Sequence, residues 1–273
     1  MSFVCYNKPD AFGRIVVLVG PSRESFLVPI IALLNLSEKF MAHVIHNLPR
    51  EEYDPKIEDK ELTMDHALVW EEVDVDIFKA LGEFQLCGQY QVISTTGVVV
   101  KEEPLSDQDK EEFNKFRQNV NTTLMWGRWV SLHSDKSINY IIRNYFADYV
   151  NKFGPEVVDN SNPPDVDEAC LVFHTKMYFL AQAFEITRLQ KLAMKNLVTT
   201  ILRAHLTYEF AGVFAKLVRF VYKFTEKENP LRAALCRVGT LVVNLSVKHP
   251  DFSEVFMEIS EFAEEIMYLR VAQ

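Results

Sequence analysis

Glycine is scarce in this 273-residue chain, with nine in all, and none builds the glycine-rich loop that cradles a nucleotide phosphate. No Gly-x-Ser-x-Gly elbow occurs either, which removes the commonest setting for a serine nucleophile. The four cysteines, Cys5, Cys87, Cys170 and Cys236, stand singly. Without a CxxC pair or a dense framework, a zinc knuckle and structural disulfides are excluded, and reduced thiols are expected. Cys170 and His174 lie one helical turn apart, a packing relation rather than a catalytic one. Basic charge is also lacking: Asp and Glu outnumber Lys and Arg 38 to 29, for a net charge of −9. A nucleic-acid or anionic-membrane binder needs basic patches to displace counterions, so neither partner is expected. Long apolar runs are missing as well. The stretch 27–34 reaches only eight residues, against roughly 18 for a membrane span, and 15–19 is too short for a signal-peptide core. An intracellular protein of the cytoplasm or nucleus is the expectation.

What the chain does have is core material, with 48% hydrophobic residues including 20 Phe. Residues 15–19 form a β-branched and aliphatic run ending at Gly20. Pro21 to Ser25 supply turn chemistry before a short second strand at 26–28. Pro29 suits the first turn of a helix, which Ile30, Ile31, Leu33 and Leu34 mark as largely buried. Ser37 can cap a second helix carrying Phe40, Met41, Val44 and Ile45, stopped by Pro49. A charged segment, 50–61, leads to a third strand at 67–70. Asp74 or Asp76 then opens a helix with Phe78, Leu81 and Phe84 that ends near Gly88. This order of elements predicts an α+β fold.

From 92 to 167 the chain is rich in charge and turn signals, and two amphipathic stripes within it predict a helical insertion. Residues 173–197 then read as a helical hairpin. Phe173, Met177, Leu180 and Phe184 make one stripe, and Ile186, Leu189, Ala193 and Leu197 make the next. Thr187 and Gln190 between them have capping-box spacing. The remainder is helical throughout. Phe214, Leu217, Val218 and Val221 come first, and Asn229 caps a helix with Pro230 at its first position and Leu231, Leu235, Val238, Val242 and Leu245 on its apolar face. One last helix after Pro250 carries Phe252, Phe256, Ile259, Ala263 and Ile266.

Two of these blocks carry a family likeness. Phe173 to Leu197, with Lys176, Tyr178, Leu180 and Ala181, resembles the final helix pair of a BTB/POZ domain. Leu217 to Ala263, through Val218, Tyr222, Thr225, Pro230, Leu231, Arg232, Phe252, Phe262 and Ala263, is similar to the helical region that follows the domain in fungal BTB proteins. Val19-Gly20, Phe26, Val28, Leu33, Ser37 and Phe40, then Asp74, Phe78, Leu81, Phe84, Gly88 and Tyr90, fall on the family's frame. The resemblance covers roughly two thirds of the chain. It implies a BTB/POZ-like domain at 13–91 and 168–203, a helical insertion at 92–167 and a C-terminal helical extension at 204–273. It further implies a non-catalytic interaction scaffold that binds protein partners, a second copy of itself among them. The candidate interface is Ile30, Ile31 and Leu34, apolar where relatives are polar, with Leu86 and Tyr90. The alternative is a substrate adaptor of a cullin-type ubiquitin ligase. The departures matter here. Arg14, Pro29 and Ile30 replace the polar residues that line the family's corepressor-peptide pocket, and Leu86, Cys87 and Gln91 leave no hydrophobic-x-glutamate motif for a cullin.

Other chemistry is set aside. His43, His46 and His66 lack the cysteine or carboxylate that would complete a zinc set, and Asp74 and Asp76 are ordinary first-turn acids. No catalytic, cofactor or metal residues are expected. A remote alternative is a small-ligand site or enzyme built on the insertion with Trp126 and Trp129.

Overall fold

The computed structural model describes residues 13–47, 67–92, 168–203, 208–246 and 248–271. The insertion helices expected within 93–167 lie outside these residues, as do His66, Trp126 and Trp129; so do the side chains of Val242 and Leu245. The fold is mixed α+β, with a small three-stranded sheet and mostly helices. The chain divides into two compact units. One gathers the described residues up to Val92 with Lys176–Leu192, and the other holds the described residues up to Thr175 together with those from Ala193 onward.

In the first unit β1 (Arg14–Val19) pairs antiparallel with β2 (Glu24–Pro29) and parallel with β3 (Leu68–Trp70), giving the order β2-β1-β3. Alternation sets the inner face: Ile15, Val17 and Val19, with Phe26, Leu68 and Trp70 in register beside them, are all buried. Three helices follow this framework, α1 (Ile30–Leu34), α2 (Glu38–Asn47) and α3 (Val75–Cys87). Pro29 closes β2 and serves as the N-cap of α1, one residue earlier than the first-turn position expected. Ser37 does cap α2: its Oγ accepts from the Phe40 N–H at 2.9 Å, while its hydroxyl donates to the Phe184 carbonyl. At the end of α3, Gly88 takes φ +73°, where a side chain would be strained, and its N–H bonds the Phe84 carbonyl at 2.7 Å.

Helices α4 (Glu168–Ala183) and α5 (Thr187–Arg203) form the hairpin, with α4 starting ahead of Phe173. Their corner lies in the first unit and differs from the expected capping box. The Glu185 N–H bonds the Gln182 carbonyl at 3.2 Å and the Ile186 N–H bonds the Ala181 carbonyl at 2.8 Å, a Schellman closure with Glu185 at φ +56°. Because the Gln190 N–H bonds the Ile186 carbonyl, Ile186 holds the N-cap position and Thr187 already lies inside the helix. Burial of Ile186 fixes that one-residue shift. Phe184 at this corner stacks on Trp70, with centroids 6.0 Å apart, and meets Phe40 edge-on at 4.8 Å. Phe78 contacts both Trp70 and Phe26, which extends this aromatic core.

The second unit contains α6 (Tyr208–Phe224), α7 (Pro230–Ser246), α8 (Pro250–Glu258) and α9 (Ser260–Val271). α6 packs on α7 and α8, and α7 packs on α9. Asn229 caps α7 as read, its Oδ1 accepting from the Leu231 N–H at 2.9 Å. The single last helix expected after Pro250 is two helices. Ile259, at φ −113° and ψ 80°, breaks it, and its carbonyl accepts from the N–H groups of Phe262 and Ala263. The break lets Phe252 and Val255 of α8 and Phe262 and Ile266 of α9 all reach the core. Helical spacing runs unbroken through 252, 256, 259, 263 and 266, so periodicity could not reveal it.

At the α7–α9 crossing, Gly239 provides space. A β-carbon there would sit 2.6 Å from Ile266 Cδ1 and 3.0 Å from Phe262 Cζ, both side chains fully buried. Gly239→Val is therefore expected to destabilise the protein by about 2–3 kcal/mol through overpacking, despite the loss of a helix-weakening glycine. Urea unfolding followed by helical circular dichroism would show the lowered midpoint, and an unchanged midpoint would contradict the crossing geometry.

Candidate protein-interaction surface

The residues expected at an interface separate into two sets. Ile30 is 8% exposed and Tyr90 6% exposed, so both face inward and neither can serve as a surface contact, contrary to expectation. Ile30 is drawn in because α1 begins there, with its N–H bonding the Gly13 carbonyl at 3.2 Å. Ile31 and Leu34 are half-buried, and Leu86, in the last turn of α3, is 73% exposed. The two helices are tied together, since the Gln85 side chain donates to the Ala32 carbonyl of α1. Glu83 steadies the chain after α3 by accepting from the Gln91 N–H at 3.1 Å.

Sequence reasoning missed further surface residues on the same unit. Met41 and Ile45 are among the apolar residues of α2, of which only Phe40 and Val44 are buried, and Ile45 is 54% exposed. Phe40 and Val44 lie one turn apart on the covered face, and Met41 and Ile45 are turned about 100° away from them. On the sheet's outer face Leu27 and Val69 are exposed. Strand alternation around Phe26 and around Leu68 and Trp70 was the signal for both. Apolar residues scattered singly at a surface are ordinary, and the second unit also exposes Phe224, Met257, Met267 and Tyr268.

Several described groups that could do chemistry are engaged. His43 Nε2 accepts from Trp70 Nε1–H at 3.0 Å, and the Asp74 carboxylate pairs with Lys176. In the second unit, Cys170 Sγ lies 3.8 Å from His174 Nε2. Burial lowers the His174 pKa to about 4, so the ring is neutral at pH 7, and both side chains are buried away from any substrate. The Cys236 thiol donates to Glu265 at 2.8 Å and lies 3.1 Å from the Tyr222 hydroxyl; burial raises its pKa far above the usual thiol range. A thiol so held is not a nucleophile.

An open hollow of about 390 Å³ is lined by Arg219, Tyr222, Lys223, Arg232, Ile259 and Glu261. Its cations are engaged: Arg219 with Glu254 and Glu258, Arg232 with Glu261, and Lys223 over the Phe224 ring at 5.3 Å. Among the described residues no cluster of His, Cys, Asp and Glu is arranged to hold a metal ion, and no helix is long and apolar enough to cross a membrane. No protein-family model, curated protein or solved structure matches the chain.

Proposed function

We propose that the chain is a non-catalytic protein–protein interaction scaffold built on a BTB/POZ-like domain, and that it self-associates through the first unit. The resemblance of the helical blocks supports this reading, as does the element order β-β-α-α-β-α ahead of a helical hairpin. The observation that carries it is the exposed apolar side chain of Leu86 together with half-exposed Ile31 and Leu34 on helices that Gln85 fastens to each other. Such residues gain by being covered, at about 25 cal/mol per Å² of apolar surface.

Light scattering coupled to size exclusion tests the proposal. The unmodified chain is expected to be a dimer at micromolar concentration, and Ile31→Asp combined with Leu86→Asp should raise the dimer Kd about 100-fold or more. A monomer persisting at high micromolar concentration would overturn self-association. The family resemblance alone supports a second reading, adaptor to a cullin-type ligase. Capture of a purified cullin by the unmodified chain but not by Leu86→Asp would select that reading.

A further inference from the structure

The half-buried ring of His43, on α2, faces Trp70 of β3, whose indole is 3% exposed. The Trp70 Nε1–H donates to His43 Nε2 at 3.0 Å. An indole nitrogen can only donate, so Nε2 must be bare and the neutral ring carries its proton on Nδ1. Nδ1 in turn lies 3.5 Å from the Asn47 amide nitrogen, which is oriented by its own donation to the His43 carbonyl at 2.8 Å. Both ring nitrogens thus look at donors. A neutral imidazole can serve Trp70, whereas an imidazolium has no acceptor to offer.

The surroundings give the charged ring nothing in exchange. It sits against the aromatic rings of Trp70 and Phe184, with centroids 5.8 and 5.1 Å away. Among the described residues, the charged and titratable groups on the elements packed here are Glu38, Lys39 and His46 on α2, Glu71 and Glu72 after β3, Glu185 at the α4–α5 corner and Arg188 at the start of α5. Lys39 pairs with Glu185 at 3.2 Å and Arg23 pairs with Glu71 at 2.5 Å. None of these carboxylates bonds the imidazole.

We propose that His43 is a proton-operated latch between α2 and β3. Protonation turns the acceptor that His43 offers the buried Trp70 N–H into a second donor, breaks that bond and loosens α2 from the aromatic core around Phe184. The inference concerns the interior of the first unit and does not depend on self-association.

The test uses the full chain, labelled with nitrogen-15, carrying Trp126→Phe and Trp129→Phe so that Trp70 is the one indole signal. Exchange of the Trp70 indole proton is compared with and without His43→Gln, because glutamine supplies an acceptor at every pH. At about pH 5 the chain retaining His43 should exchange this proton about tenfold faster than the glutamine variant, and near pH 8 the two should agree. His46→Gln should leave the difference intact. Equal exchange in the two proteins at low pH would overturn the latch, as would loss of the difference in His46→Gln.

Discussion

Arg232→Ala is expected to cost about 2–4 kcal/mol, the scale of leaving two backbone carbonyls without their donors. The guanidinium is only 7% exposed and serves four acceptors. Nε donates to Thr225 Oγ1 at 2.9 Å, Nη2 to the carbonyls of Tyr222 and Thr225, and Nη1 to Glu261. Two of those acceptors are backbone carbonyls at the end of α6, which the helix itself cannot satisfy. The same group stacks over the Tyr222 ring at 4.2 Å. One side chain on α7 thereby closes the end of α6 and holds the start of α9. Removing it leaves buried carbonyls without donors and exposes the α6–α7 joint. Arg232→Lys should recover little, because a compact ammonium cannot reach a fork of acceptors. Urea unfolding of both variants provides the measurement. A lysine variant within about 1 kcal/mol of the original would show that charge, and not the planar fork, carries the effect.

Stability should also fall on acidification by about 3 kcal/mol through His174 alone, at 1.36 kcal/mol per pKa unit. Burial lowers its folded pKa from 6.5 to about 4. Above pH 6.5 the ring is neutral in both the folded and unfolded chain, and no penalty arises. Below that value the unfolded chain takes up the proton first, so unfolding gains until the folded ring titrates too. The loss therefore accrues as pH falls from 6.5 to about 4 and then levels off. His174→Gln, compared with the unmodified chain by urea denaturation across this range, isolates the contribution. The variant should be weaker at pH 7 but show a shallower decline, and parallel declines would reject the assignment.

Much of this architecture was legible before any coordinates. The β-branched and aliphatic run 15–19, the short strands that pair with it and the glycine that ends α3 are local signals, and each element formed where its pattern placed it. The stripes of the hairpin were equally plain. What escaped notice depends on partners far away in sequence. Nothing near 259 signals a break, because the two phenylalanines it serves, Phe252 and Phe262, choose the core and not the helix period. The inward turn of Ile30 and the outward turn of Met41 and Ile45 follow from which face of each helix the rest of the unit covers, and Tyr90 turns inward on the segment after α3. Arg232 was visible as a residue of the family pattern, but its four acceptors converge only once α6, α7 and α9 are assembled.

The corner between α4 and α5 bears on how the chain comes to be folded. Phe184 completes the aromatic core around Trp70 and Phe40, and Ser37 fastens to its carbonyl. Residues 71–183 separate Trp70 from Phe184 along the chain. At about 5–20 residues per second, a ribosome needs roughly 6–23 s to synthesise that stretch. During the interval the sheet and its first helices have emerged without the ring that closes over them, leaving Trp70 and Phe40 open to other nascent chains and to chaperones. Distance along the sequence, invisible in the finished structure, becomes a period of exposure during synthesis.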